Sequence, residues 1–290
     1  PLRLRESGVA STIDVDSGLE VLLMPEFTRN EITISYTDEG AGRPVVLLHG
    51  HTLDRRIWLP VVPKLLDAGL RVIRPDLRGH GRSTRPDSGY HVSHHSADLV
   101  GLLDAVGVDR ATIIGFSFGG GVALETAVTH GSRLSAMGLV APVMPDRPFE
   151  PAFMENLRDV ARAIRSEGVA KAMAGPWASS PLFAHSFTKD GIREAVAAIV
   201  AGFPGAEFLA TERDRVERDW TLPDRLGEIA VPTAVMVGEM EMPGFRAFAE
   251  EAAGGVPGST LEVVPDCGHL LPLEAPEAIA AMIMGLFDRR

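Results

Sequence analysis

What most constrains the fold of this chain is a recurrence: short β-branched apolar runs, each followed by a stretch with helical periodicity. Residues 45–48, 70–74, 111–114, 136–140, 233–237 and 260–264 read as strands. Their apolar character is nearly continuous rather than alternating, which marks strands buried on both faces, the condition of a parallel sheet covered by helices. The stretches 58–68, 96–106, 118–130, 245–253 and 276–287 read as those helices. The alternation predicts an α/β fold, a mostly parallel twisted sheet with helices on both faces. Residues 14–23 and 31–36 precede the pattern and are expected to form antiparallel edge strands.

The rhythm fails between residues 142 and 225. Pro142, Pro145, Pro148 and Pro151 come in quick succession, then 155–167 and 192–201 read as amphipathic helices with no strand between them. The expected division is a core of 1–141 and 226–290 carrying a helical insertion, 142–225. The 290 residues are 45% apolar and 23% charged, enough for one large globular domain with such an insertion. A net charge of −11 disfavours nucleic acid and anionic membranes as partners, since both need Lys and Arg to neutralise phosphate. No run approaches the roughly 20 apolar residues of a membrane helix, and no apolar signal core follows the basic start. The lone Cys267 cannot form an internal disulfide, which fits a reducing compartment. A cytoplasmic protein is therefore expected.

Three segments carry chemistry. Gly115-Phe116-Ser117-Phe118-Gly119-Gly120-Gly121 matches G-x-S-x-G, flanked by a strand that ends at Ile114 and a helical pattern that starts after Phe118. A tight strand-to-helix turn there would lift the Ser117 hydroxyl above the sheet at a helix N-terminus, where developing negative charge is favoured. A plain glycine-rich turn is the bland alternative, weakened by the strand and helix on either side. His49-Gly50-His51-Thr52 follows the strand 45–48 directly. Its main chain could supply one oxyanion donor, assigned to the N–H of His51, and the residue after the serine, Phe118, the other. The His49 ring is expected to be a structural, backbone-bonded group; the role of the His51 ring is open. Asp266-Cys267-Gly268-His269 lies after the last strand. Of nine histidines, only His269 sits where a general base follows the serine in the order serine, acid, histidine. His80, His91, His94 and His95 are expected to be surface or turn residues, and Cys267 a small packed side chain.

These segments, in this order, resemble the α/β-hydrolase superfamily from about residue 31 to the C-terminus. Asp76-Leu77-Arg78-Gly79-His80-Gly81-Arg82-Ser83 is likewise similar to the turn after that family's fourth strand. The resemblance implies a helical cap over the site, formed by 142–225, and no cofactor. It also implies an acid in a Gly-x-x-Asp pattern after the seventh strand, where this chain reads Gly238-Glu239-Met240-Glu241. Glu241 thus fills the acid position with a side chain one methylene longer. Asp146, after the sixth strand, is the alternative acid, and Glu239 a third. Serine at the elbow argues against the family's dehalogenases and epoxide hydrolases, which use aspartate. The insertion is rich in large apolar groups; Trp177, Phe183, Met240 and Met242 are expected in the pocket, and no basic cluster suggests a phosphate-bearing substrate. The implied enzyme is a serine hydrolase of a medium-sized apolar ester or lactone. A C–C bond hydrolase or cofactor-free perhydrolase (haloperoxidase) on the same triad is the near alternative, and a non-hydrolytic receptor or cyclase the distant one. The expected partner is a small apolar molecule; a homodimer is left open.

Overall fold

The computed structural model describes residues 12–13, 21–22, 24–210 and 216–288. Its centre is an eight-stranded sheet of β1 (Glu26–Arg29), β2 (Ile32–Glu39), β3 (Pro44–Leu48), β4 (Arg71–Pro75), β5 (Ala111–Phe116), β6 (Leu134–Val140), β7 (Thr233–Gly238) and β8 (Thr260–Val264). The spatial order is β1-β2-β4-β3-β5-β6-β7-β8. β2 runs antiparallel to both neighbours, and β3 to β8 are parallel. The chain steps outward from β3 to β4, then crosses back to β5, so the carboxyl ends of β3 and β5 adjoin at a topological switch point. In open α/β sheets that crevice is where ligands bind.

All six residues of β5 and all six of β7 are buried, which requires helices over both faces. The core helices are α1 (Val62–Asp67), α2 (Val92–Ala105) and α3 (Phe118–Thr129), and α2 packs on α3. Between β6 and β7 come α4 (Pro151–Glu167), α5 (Val169–Ala172), a π-helical turn at Met173–Trp177, α6 (Ile192–Val200) and α7 (Ala206–Leu209), with no strand among the described residues. The core closes with α8 (Pro243–Gly255), α9 (Leu271–Glu274) and α10 (Pro276–Asp288), and α10 packs on α1.

Differences from the expected elements have local causes. α4 and α8 begin at Pro151 and Pro243, earlier than expected, because proline fits the first helical turn, where its missing N–H is not needed. The helix expected over 58–68 is a 3₁₀ turn, Arg55–Trp58, followed by α1. β8 is not buried on both faces: Thr260, Leu261 and Glu262 are exposed, because the sheet ends there. Of the edge strand expected over 14–23, Val21–Leu22 pairs antiparallel with Thr12–Ile13 in a ribbon separate from the sheet; the remainder lies outside the described residues. Among the described residues no helix is long and apolar enough to cross a membrane.

Candidate active site

Ser117 occupies the turn between β5 and α3 with φ 51° and ψ −116°, a conformation that side-chain-bearing residues seldom adopt. Such a residue costs of order 1–3 kcal/mol and persists only when its surroundings over-determine it. Here the Ser117 N–H donates to the Val140 carbonyl at 2.9 Å, and the Ser117 carbonyl accepts from Gly120 N at 2.9 Å and Val143 N at 3.0 Å. The glycines serve close approach. A Cβ on Gly115 would stand 2.2 Å from the Gly119 carbonyl oxygen, and one on Gly119 would stand 2.5 Å from that of Leu48. The serine side chain is buried beneath the insertion, at the N-terminus of α3.

His269 and Glu241 meet across the ends of β7 and β8. Their loops are zipped together by Glu239 N to Val264 O at 2.9 Å and Met240 N to Cys267 O at 2.8 Å. A Cβ on Gly238 would come within 2.2 Å of the Cys267 oxygen, so only glycine lets them pass this closely. Nδ1 of His269 lies 2.7 Å from Oε2 of Glu241, with both side chains almost wholly buried. The other Glu241 oxygen accepts from Met242 N at 2.9 Å, at the start of α8, so both ends of the carboxylate are fixed. The His269 ring is gripped by the rings of Phe245 at 4.9 Å and Phe116 at 5.2 Å. The two rival acids are elsewhere. Asp146 pairs with Arg218 and accepts from Leu222 N at 2.9 Å. Glu239 accepts from Asp266 N at 3.1 Å on the outside of the turn.

The loop after β3 is braced from below. His49 Nδ1 donates to the Gly50 carbonyl at 2.8 Å and Nε2 accepts from Leu77 N at 2.9 Å, the structural role expected of it. Burial, opposed in part by Asp76, holds its pKa below the ordinary histidine value. His80 is not a surface residue: it is buried, Nδ1 donates to Arg78 O at 2.9 Å, and Nε2 accepts from Thr52 N at 3.2 Å. That contact secures Thr52 at φ 66°, an uncommon geometry for a β-branched residue. Burial, then the neighbouring His49 and His51, push the His80 pKa well below the usual value. His95 is also buried rather than exposed, its ring edge-on to Phe118 at 4.9 Å. Among the described residues the main-chain N–H groups of His51 and Phe118 have no protein acceptor.

Ser117, His269, Gly50, His51 and Phe118 all face one cavity of about 230 Å³. The insertion supplies the opposite wall, including Trp177 and Phe183 with Leu157 and Leu182. Met240 and Met242 are corrections to the expected pocket. Met240 is 53% exposed on the outside of the turn, and Met242, half-buried just before α8, packs against the core. Phe245, on the first turn of α8, reaches the cavity instead. Two carboxylates were missed. Glu274 accepts from Ser186 Oγ at 2.6 Å and Gly268 N at 2.8 Å, fixing the His269 loop to the insertion. Glu207 lines the cavity beside His51. Neither has a sequence signal, since Ser186 and Glu274 lie 88 residues apart. Among the described residues no three His, Cys, Asp or Glu side chains are grouped to hold a metal ion.

A serine on a strained strand-to-helix turn, a buried His–Glu pair from the last two strand ends and a helical insertion over both define an α/β-hydrolase enzyme. Comparison with known families agrees: the chain belongs to the alpha/beta hydrolase family, whose model matches residues 45–282. A solved structure described as Est816, an N-acyl homoserine lactone degrading enzyme, superposes with TM-score 0.74 at 29% identity, covering 90% of this chain and 99% of that one. A thermophilic esterase from Thermogutta terrifontis gives TM-score 0.74 at 29% identity, covering 92% of this chain and 97% of that one. A non-heme haloperoxidase of Rhodococcus erythropolis is 28% identical over 261 residues, covering 85% of this chain and 93% of that protein.

Proposed function

We propose that this chain is a serine hydrolase that cleaves a medium-sized apolar carboxylic ester or lactone through an acyl-enzyme on Ser117. The observation that carries the reading is the 2.7 Å contact between His269 Nδ1 and Glu241, on the wall of the cavity that Ser117 faces. With its Nδ1 proton donated to Glu241, His269 has Nε2 free to accept a proton. Ser117 Oγ attacks the substrate carbonyl as His269 takes its proton, and the His51 and Phe118 N–H groups stabilise the oxyanion. His269 returns the proton to the leaving alkoxide. Water, activated by the same imidazole, then releases the acid. Glu241 orients His269 and stabilises its imidazolium. Asp146, engaged with Arg218 and Leu222 N, ties the two ends of the insertion together.

Residues 142–225 act as a cap in this reading. The wall they contribute is largely aromatic and aliphatic, which supports an apolar substrate. The neighbours described as an esterase and a lactone-degrading enzyme favour the same chemistry. The haloperoxidase relative favours a second reading on the same triad, in which peroxide replaces water and the acyl-enzyme yields a peracid.

A fluorophosphonate probe tests the mechanism. Wild-type protein should be labelled and Ser117→Ala should not; absence of Ser117-dependent labelling would overturn the proposal. A series of p-nitrophenyl esters beside a lactone panel then reads the substrate class, and bromination of an indicator by peroxide with acetate reads the second activity.

A further inference from the structure

The His51 side chain is held from the insertion. Nε2 of His51 lies 2.7 Å from Oε2 of Glu207 on α7, an ion pair when the imidazole is protonated. The ring is boxed in by Phe208 at 5.4 Å and Phe203 at 6.1 Å from the insertion, and by His80 at 5.7 Å and Phe118 at 6.1 Å from the core. A second tether lies further along the same loop. Arg56, itself paired with Asp54 at 2.7 Å, donates to the carbonyls of Ala198 at 3.1 Å and Ile199 at 2.8 Å near the end of α6. The insertion therefore grips this loop at two places, and the first grip is on a residue that lines the cavity together with Ser117.

We propose that the Glu207–His51 clasp is a positioning device through which the insertion holds the oxyanion-binding N–H of His51 in register with Ser117. The proposal rests on the hydrolase reading above and on His51 as an oxyanion donor. Physically it requires little. A donor must lie within a few tenths of an ångström of the developing charge to act on it, and misplacement by 1 Å can cost about 10²-fold in rate. The Thr52 end of the loop is fixed from below by His80. The His51 imidazole is the handle from above. A clasp made of a carboxylate and an imidazole also responds to pH. Among the described residues, the titratable groups against the ring are Glu207 and His80, and burial keeps His80 neutral. Burial lowers the His51 pKa, but attraction to Glu207 and the contact with its carboxylate outweigh this, leaving the pKa above its ordinary 6.5. The charged clasp is thus complete below about pH 6.5 and is lost as pH rises through the raised value.

The test uses the full chain and p-nitrophenyl butyrate. Glu207→Gln keeps the shape and removes the charge. It should lower kcat roughly 5–20-fold while KM changes less than about twofold, because the loss falls on the transition state. Glu207→Asp should recover part of the rate. His51→Ala should resemble Glu207→Gln, and the double variant should be no worse than about twofold below the weaker single, since the two groups act as one. In the kcat–pH profile, a descending limb on the alkaline side of pH 6.5 in the wild type should be absent from Glu207→Gln. A wild-type kcat and profile in Glu207→Gln, a change confined to KM, or additive losses would each overturn the clasp. The two readings fail separately: labelling of wild type at Ser117 with an indifferent Glu207→Gln removes only the clasp. Absence of labelling removes the hydrolase and with it the oxyanion role of His51.

Discussion

Ser117 and Glu241 show how much one residue's setting decides. The backbone of Ser117 is held at positive φ by four main-chain hydrogen bonds, three of them to its carbonyl. Glu241 has a side chain longer than the expected aspartate, yet both its oxygens are engaged, one by His269 and one by the N–H of Met242, the residue just before α8. The extra methylene is absorbed by seating the carboxylate against a helix N-terminus, where negative charge is favoured. Glu241→Gln should therefore lower kcat by roughly 10²–10⁴-fold, since an amide can present the wrong partner to Nδ1 and favour the wrong tautomer. Asp146→Asn should change kcat less than about threefold and cost about 1 kcal/mol of stability, because Arg218 keeps Glu125 at 2.9 Å. Steady-state kinetics and denaturant unfolding of the two variants check this ranking; the reverse order would make Asp146 the acid. Ser117 and His269 were legible from their motifs. Glu241 was legible only as one of three acids, because the choice depends on which carboxylate reaches Nδ1, a distance that no local pattern encodes.

The elements meet where loops pass at contact distance. The turn after β7 and the loop after β8 cross at Gly238, where a Cβ would lie 2.2 Å from one carbonyl oxygen and 2.4 Å from the next. Both obstacles are backbone, so Gly238→Ala must separate the two loops and carry Glu241 away from His269. The expected result is at least a tenfold loss of kcat, with about 1–3 kcal/mol lost from stability. Gly254→Ala is the control: it is exposed near the end of α8 with nothing within 4 Å, and should stabilise by about 0.5–1 kcal/mol with unchanged kcat. Thermal unfolding and kinetics of the pair measure both effects. The strands themselves were readable because burial on both faces leaves a continuous apolar run. The exception, β8, shows the limit: its apolar and β-branched residues suited a strand, but its exposure follows from being last in the sheet.

Across the whole molecule, buried histidines couple stability to pH. Burial holds His49, His80 and His95 below the ordinary histidine value, so the folded state keeps them neutral. The unfolded chain binds their protons near pH 6.5, which makes unfolding easier as pH falls below that point. His51 has the opposite sign, its stabilisation present below pH 6.5 and lost on the alkaline side. With His91 also lowered, chiefly by burial, four groups against one predict that unfolding free energy measured by denaturant titration rises between about pH 5 and pH 7. A flat or falling profile would mean that these imidazoles are not held neutral. His80 and His95 were expected to be surface or turn residues because histidine is usually at least partly exposed; only packing of the turn after β4 beneath the loop after β3 made His80 a strut.

The sequence alone determined the class of fold, and it marked out the helical stretch between β6 and β7 and the candidate pair Ser117 and His269. Each of these is written in local order: apolar runs without alternation, prolines in succession, glycines where backbones must touch. Tertiary structure decided which acid meets His269, that Phe245 rather than Met240 or Met242 lines the cavity, and that Glu207 holds His51. Those outcomes depend on side chains tens to more than a hundred residues apart arriving at the same few ångströms. That convergence is set by the crossing of strand ends and the seating of the insertion, for which the chain carries no contiguous signal. Ser117 joins the two accounts, announced by its motif and given its geometry by the strands, helix and loop that close around it.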